Sequence, residues 1–151
     1  MSATISSINY CPVKSVSFQT INMCKIKKNI GIVGDRIFAF AKDLDLDSAR
    51  LFEKSPEERR GKWNKILTLK NSPVLNKYNF LFKENKLTLT FDHKKILTID
   101  VNQFSERQLL SNKIIELVNS LKKPIILMKN EKLPFFDTSI SNKVDFINSV
   151  S

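Results

Sequence analysis

The chain has 151 residues, 42% of them hydrophobic, and a formal net charge of +10 at pH 7. That length and apolar content make one domain with a real core, burying roughly 68–70% of the unfolded surface, and they exclude a disordered composition. Eleven Phe against one Trp and two Tyr suit a packed interior better than a platform for stacking bases. The positive charge, carried mainly by Lys spread along the whole length, bears on non-specific association and names no dedicated polyanion site.

In chain order, the alternating run Thr4-Ile5-Ser6-Ser7-Ile8-Asn9 predicts a first strand that leads into Tyr10-Cys11-Pro12-Val13-Lys14-Ser15. Pro12 has no N–H for a sheet ladder, so the strand must end or lose its partner there. Cys11, preceding a proline, is pushed to an extended conformation. The chain thus leaves the sheet in a fixed direction and sets Lys14 and Ser15 at a strand end, a cation beside a hydroxyl suited to an anionic ligand. A second strand is expected over Ser17 to Lys27, its apolar residues being Phe18, Ile21, Met23 and Ile26. Lys27-Lys28-Asn29 turns the chain, and Gly34-Asp35-Arg36 opens a third strand whose run Ile37 to Ala41 reads as fully buried.

Ser48 to Arg60 favours a helix broken at Pro56, with Glu57, Glu58, Arg59 and Arg60 read as a solvated charge cluster. Trp63 and Ile66 to Leu69 return the chain to the core. Tyr78 to Phe82, Lys86 to Phe91 and Ile96 to Val101 form a three-strand meander with turns at Glu84-Asn85 and Asp92-His93-Lys94. The clearest helix runs from Phe104 to Leu121, capped by Asn102 or Ser105 and stopped before Pro124, with Leu110, Ile114, Leu117, Val118 and Leu121 at helical spacing. Ile125 to Met128 is a last short strand, Phe135-Phe136-Asp137-Thr138 is apolar and then polar, and Val144 to Val150 ends the chain mid-pattern.

Cys11 and Cys24 fall on neighbouring predicted strands, fit neither a disulfide framework nor a zinc spacing, and read as small buried apolar residues. His93, the only histidine, lies in a predicted turn without a second ligand nearby. Ser15 has no histidine beside it to make it a nucleophile. No apolar run approaches about 18 residues. Fold-forming sequence by Ile5 leaves no room for a targeting segment, so a soluble cytoplasmic protein is expected.

Two features stand together: Pro12-Val13-Lys14-Ser15 closing the first strand and Gly34-Asp35-Arg36 opening the third. On adjacent strands their cations converge on one anionic group, Lys14 as a point charge, Arg36 as a planar fork and Ser15 as a neutral donor. Asp35 suits orienting a neighbour better than binding an anion. With these paired motifs the chain resembles the N-terminal β-barrel domain of the MOSC proteins, the molybdenum cofactor sulfurase C-terminal domain family. It is most similar to the mitochondrial amidoxime-reducing components and their bacterial relatives. Cys11 departs from the pattern, standing where the family usually has tyrosine.

The resemblance implies an α+β, mostly β fold: a barrel-like domain with one long helix near the C-terminal end and a short helical insertion. It implies a domain over residues 1–122 and the start of an incomplete MOSC domain over 123–151. It further implies the molybdenum cofactor, a phosphorylated pterin dithiolene, with Lys14, Ser15 and Arg36 at positions that hold the pterin and its phosphate. The metal-ligating cysteine of the family lies downstream, so neither Cys11 nor Cys24 is a ligand and no catalytic residue is assigned. The implied function is the cofactor-binding portion of an oxidoreductase acting on N-hydroxylated compounds, or of a sulfur carrier, inactive as this fragment. Its implied partners are the remainder of the MOSC domain or a complementary chain and an electron-transfer partner, with no specific nucleic acid and no membrane span. Two other functions stay open: a non-catalytic binding module and a non-specific polyanion-binding basic protein.

Overall fold

The structure, a computed structural model, describes residues 4–16, 18–121 and 124–136. Strand β1 (Ile8–Tyr10) pairs antiparallel with β2 (Gln19–Ile21), Ile8 opposite Ile21 and Tyr10 opposite Gln19. The ladder stops at Tyr10 because Pro12 cannot extend it. The single strand expected over Ser17 to Lys27 is instead two. After β2 the chain bends at Asn22 and forms β3 (Ile26–Lys27), which pairs antiparallel with β4 (Gly31–Ile32) in a separate hairpin. Parity explains the break. Side chains in a strand alternate faces, so Phe18 and Ile26 cannot share a face with Ile21 and Met23. One strand could not bury all four, and Phe18, Met23 and Ile26 are exposed.

Strand β5 (Phe38–Lys42) is the axis of the molecule. Its apolar run is buried from Phe38 to Ala41, as the sequence indicates. One edge pairs antiparallel with β9 (Ile125–Lys129), Phe38 opposite Lys129 and Lys42 opposite Ile125. The other edge carries two isolated bridges: Val13 runs parallel to Phe38, and Ile66 runs antiparallel to Ala41. The Leu67 N–H also donates to the Phe40 carbonyl at 2.8 Å. Ile125 onward is therefore packed into the same core as the first strands, and Phe135 joins Ala39, Ala41, Phe52, Ile66 and Met128 in one buried cluster. The expected continuation from Asp137 through Val144 to Val150 lies outside the described residues.

The meander is β6 (Tyr78–Lys83), β7 (Lys86–Phe91) and β8 (Lys94–Asp100) in that order. Both connections are two-residue loops, Glu84-Asn85 and Asp92-His93, with all four residues at positive φ, the twist that lets adjacent strands close without splaying. A register shift at Leu89/Thr90 bends β7 against β8. The inner face of the meander (Phe80, Leu87, Leu89, Ile99) packs with Leu110, Ile114 and Val118 and with Phe38 and Phe40 of β5. The Phe38 and Phe82 rings meet edge to face at 5.1 Å.

The long helix α3 spans Phe104–Leu117, a turn shorter than its apolar stripe suggests, because Asn119 and Ser120 favour turns over helix. Val118 and Leu121 still reach the core from a closing turn in which the Leu121 N–H donates to the Val118 carbonyl. Its N-cap is neither Asn102 nor Ser105 but Gln103, whose side chain makes no capping bond. Glu106 in the first turn reaches back instead to the Asp100 N–H. The architecture is α+β and mostly strand. Among the described residues the strands form four separate sheets, β1-β2, β3-β4, β5-β9 and β6-β7-β8, and do not close into a barrel.

The insertion after β5 holds α1 (Leu46–Lys54) and α2 (Pro56–Arg59). Helix α1 starts two residues earlier than the Ser48 expected, since Asp45 caps it, accepting from the Ser48 N–H at 2.8 Å and the Ser48 hydroxyl at 3.0 Å. These bonds hold the Asp45 carboxyl below its ordinary pKa. Pro56 breaks the helix as expected, but the charge cluster that follows is not uniformly solvated. Glu57, Glu58 and Arg60 are exposed while Arg59 is only 2% exposed. Its guanidinium donates to four carbonyls: Phe52 at 2.5 Å, Glu53 at 2.9 Å, Leu133 at 2.9 Å and Pro134 at 3.3 Å. The Phe135 ring lies 4.0 Å from it. Burial pulls the Arg59 pKa down to about 10, against Glu57 and Glu53, so the side chain is a cation at neutral pH. Arg59→Met should cost about 3 kcal/mol by leaving buried carbonyls without donors. Arg59→Lys, which keeps the charge but not the fork, should recover about half of that at most. Urea unfolding measures both, and wild-type stability in Arg59→Met would refute the clamp.

Candidate functional site

The motifs around Pro12 and Asp35 do meet. The Arg36 N–H donates to the Cys11 carbonyl at 2.6 Å, the Phe38 N–H to Pro12 at 3.0 Å, and the Lys14 N–H to Phe38 at 2.8 Å. Pro12 lacks an N–H but keeps its carbonyl, so the segment that cannot continue β1 turns and docks its other groups on β5. The Asp35 carboxylate then locks the pair. One oxygen accepts from the Cys11 N–H at 2.8 Å and the other from the Arg36 guanidinium at 2.5 Å. Asp35 is buried, so it orients neighbours and does not face a ligand, as its residue type suggests. Gly34 serves the approach with φ +94°, where a Cβ would stand 3.5 Å from the Tyr10 ring.

The three sequence-derived site residues do not share one surface. Lys14 is expected at an exposed strand end but is 2% exposed, its ammonium 5.0 Å from the centre of the Trp63 ring. The pairing of Val13 with Phe38 pulls the strand end inward, and Trp63 covers the side chain that follows. Ser15 is half-buried in a turn closed by the Val16 N–H on the Val13 carbonyl at 3.3 Å, with φ +55°. Arg36 keeps a quarter of its side chain exposed, with its guanidinium 5.2 Å from the Phe136 ring. Its φ is +51°, and the Phe135 N–H donates to its carbonyl at 2.8 Å.

Cys11 sits between the two cations rather than on a strand, and Cys24 is in a loop at intermediate burial. The Cys11 thiol donates to the Val13 carbonyl at 2.7 Å. Burial raises its pKa and Asp35 adds to this, while the Val16 N–H, Arg36 and Lys14 pull the other way. The Tyr10 phenol is likewise raised, first by burial and then by Asp35 and Cys11. Both Lys14 and Arg36 therefore act on one buried point, although only Arg36 reaches solvent. Among the described residues no three His, Cys, Asp or Glu side chains are grouped to hold a metal ion. His93 is exposed at its hairpin turn.

Three aromatic and polar partners of the site lie outside the motifs: Trp63 over Lys14, Phe136 over Arg36, and Arg59, which holds the segment leading to Phe136. Trp63 is the only tryptophan and sits beside a run of charges, the one signal that could single it out. No protein-family model, curated protein or solved structure matches the chain.

Asp35→Ala should destabilise the protein by about 2–3 kcal/mol, since it orphans the buried Cys11 N–H and frees Arg36. Asp35→Asn, which keeps one acceptor, should cost less. Equal midpoints for the two variants in urea would sink the lock. The thiols provide an independent check. In a disulfide-exchange assay Cys24 should react fast and Cys11 slowly, with Cys11 matching Cys24 only in denaturant. Two equally fast thiols in the native protein would contradict the buried, raised pKa of Cys11.

Proposed function

We propose that Arg36, with Ser15 on the segment docked beside it, seats a phosphate group, and that the phosphate belongs to a pterin cofactor of the molybdenum type. The observation that carries the reading is conformational. Two of the three candidate residues, Ser15 and Arg36, are held at positive φ in the turns that flank the contact of Pro12 and Lys14 with Phe38. The other non-glycine residues of that kind among those described are Asn, Asp, or members of the two hairpin loops. A serine and an arginine held there by surrounding bonds are a strained pair of the sort found at binding sites. Their side chains are a neutral donor and a planar fork, the set that recognises phosphate.

The fit to such a cofactor divides by residue. Arg36 is partly exposed and supplies direct donors, and Ser15 stands in the separate turn that follows the docked segment from Pro12 to Lys14. Lys14 fits as a buried charge that raises the local potential, not as a contact, because its ammonium is committed to the face of Trp63. Lys14, Asp35 and Arg36 together carry one net positive charge, the sign that attracts a phosphate ester. When bound, the cofactor would supply the redox or sulfur-transfer chemistry of the MOSC proteins. The described residues would hold its phosphate end in an open, unclosed version of the N-terminal domain of that family.

The test is to produce the chain in a host that makes the pterin, then release and quantify it by fluorescence after oxidation. Pterin should co-purify with the wild-type chain, and Arg36→Ala should lower the amount about tenfold or more. Ser15→Gly should lower it while leaving the melting temperature unchanged or raised, because glycine accepts φ +55° without strain. A wild-type chain free of pterin, or an Arg36→Ala chain holding as much, would overturn the proposal.

A further inference from the structure

The first acidic residue of the chain is Asp35, so the preceding 34 positions hold four lysines and no carboxylate side chain. Asp35 itself is buried in the lock described above. Within this stretch the β3–β4 hairpin stands apart from the core as a two-stranded sheet of its own. Both residues of β3 are exposed. Its ladder runs from the Val33 N–H on the Lys25 carbonyl at 2.8 Å to a turn in which the Ile30 N–H donates to Lys27 at 3.1 Å. Such a hairpin gains little stability in water from its own contacts.

Its exposed side chains are of two kinds. Met23 is 85% exposed and Ile26 lies three residues on, also exposed. Ile5, at 73% exposure, precedes β1 at the same end of the β1–β2 ladder at which Met23 follows β2. Val33 is exposed at the base of the hairpin. Among these apolar groups stand Lys25, Lys27 and Lys28, all exposed. Phe18 lies at the opposite end of β2 and belongs to a different surface.

We infer that this hairpin docks by its β3 edge on an anionic lipid bilayer, with Met23 and Ile26, on opposite faces of that edge, entering the headgroup boundary and the three lysines along it meeting acidic headgroups. Charge complementarity selects the occupant. A second copy of this edge would set lysine against lysine with no carboxylate in the stretch to relieve it. Protein interfaces are depleted in Lys and favour Arg, and this stretch contains no Arg. Lysines around a few protruding apolar side chains match peripheral attachment to acidic lipid, in which buried apolar area and surface charge add. No helix among the described residues is long and apolar enough to cross a membrane, so the attachment is to a surface.

Vesicle flotation tests this with the whole chain, using phosphatidylcholine vesicles with and without about a third phosphatidylserine. Binding should appear on the acidic vesicles, be absent on the neutral ones and weaken with salt. The triple variant Lys25→Gln, Lys27→Gln, Lys28→Gln should bind about a hundredfold less, at about fivefold per lysine. The double variant Met23→Ser, Ile26→Ser, which keeps every charge, should bind about tenfold less. A matched triple at the end of the meander opposite Phe82, Lys77→Gln, Lys94→Gln, Lys95→Gln, should stay within about twofold of wild type. Equal loss in the two lysine triples, or full binding by the Met23 and Ile26 variant, would reduce the effect to overall charge and overturn the proposal. Binding to neither vesicle would also overturn it, and would point to an acidic protein as the partner of this edge.

Discussion

A guanidinium taken out of water must find acceptors in its own plane, and Arg59 finds them in two segments far apart in the chain. Two of its carbonyls, Phe52 and Glu53, close the last turn of α1, where a cation also answers the helix dipole. The others, Leu133 and Pro134, belong to the segment after β9. That segment goes on to Phe135, which lies against the guanidinium and donates its N–H to Arg36, and to Phe136, which lies against the Arg36 side chain. The position of Arg36 thus follows from Arg59, and the Asp35 lock and the Cys11 turn follow from Arg36. Consecutive phenylalanines serve two arginines, one buried and one at the surface.

Around this clamp a second set of bonds steadies the same region. One Glu53 carboxylate oxygen accepts from Arg107 at 2.6 Å and from the Lys129 N–H at 2.8 Å, tying α1 to α3 and β9. Asn130 donates to the Glu53 carbonyl and accepts from the N–H groups of Lys132 and Leu133. The loop that presents Phe135 and Phe136 is therefore fixed from both sides. The anion seat proposed for this region would need that rigidity to bind without rearranging.

How much of this was written in the letters depends on the kind of signal. The buried strand shows itself as an unbroken apolar run, and the meander as period-two alternation with turn residues between, because burial on two faces or one leaves those patterns directly. The juxtaposition of the Pro12 and Asp35 segments was legible from strand ends. The depth of Lys14 was not, since a lysine at a strand end looks the same whether Trp63 covers it or water does. Arg59 carries the same letter as exposed Arg60, and no helical count separates them, because extended Ser55 between α1 and α2 resets the phase set by buried Phe52. The strand expected over Ser17 to Lys27 failed on parity, a check that the apolar residues themselves supplied.

The placement of β5 has a consequence for how the chain is made. Its run Phe38 to Ala41 is among the most buried of the protein, yet its full-length partner β9 is the last strand among the described elements. On the ribosome this apolar strand emerges early and waits with one edge open while α1, the meander and α3 are synthesised. Only the short bridges to Val13 and then to Ile66 are available to it in the meantime. The meander, built from adjacent strands, can close on its own, whereas the β5 edge is the surface on which a nascent chain would stick to its neighbours. The architecture that makes β5 the centre of the finished protein also makes it the most exposed liability of the unfinished one.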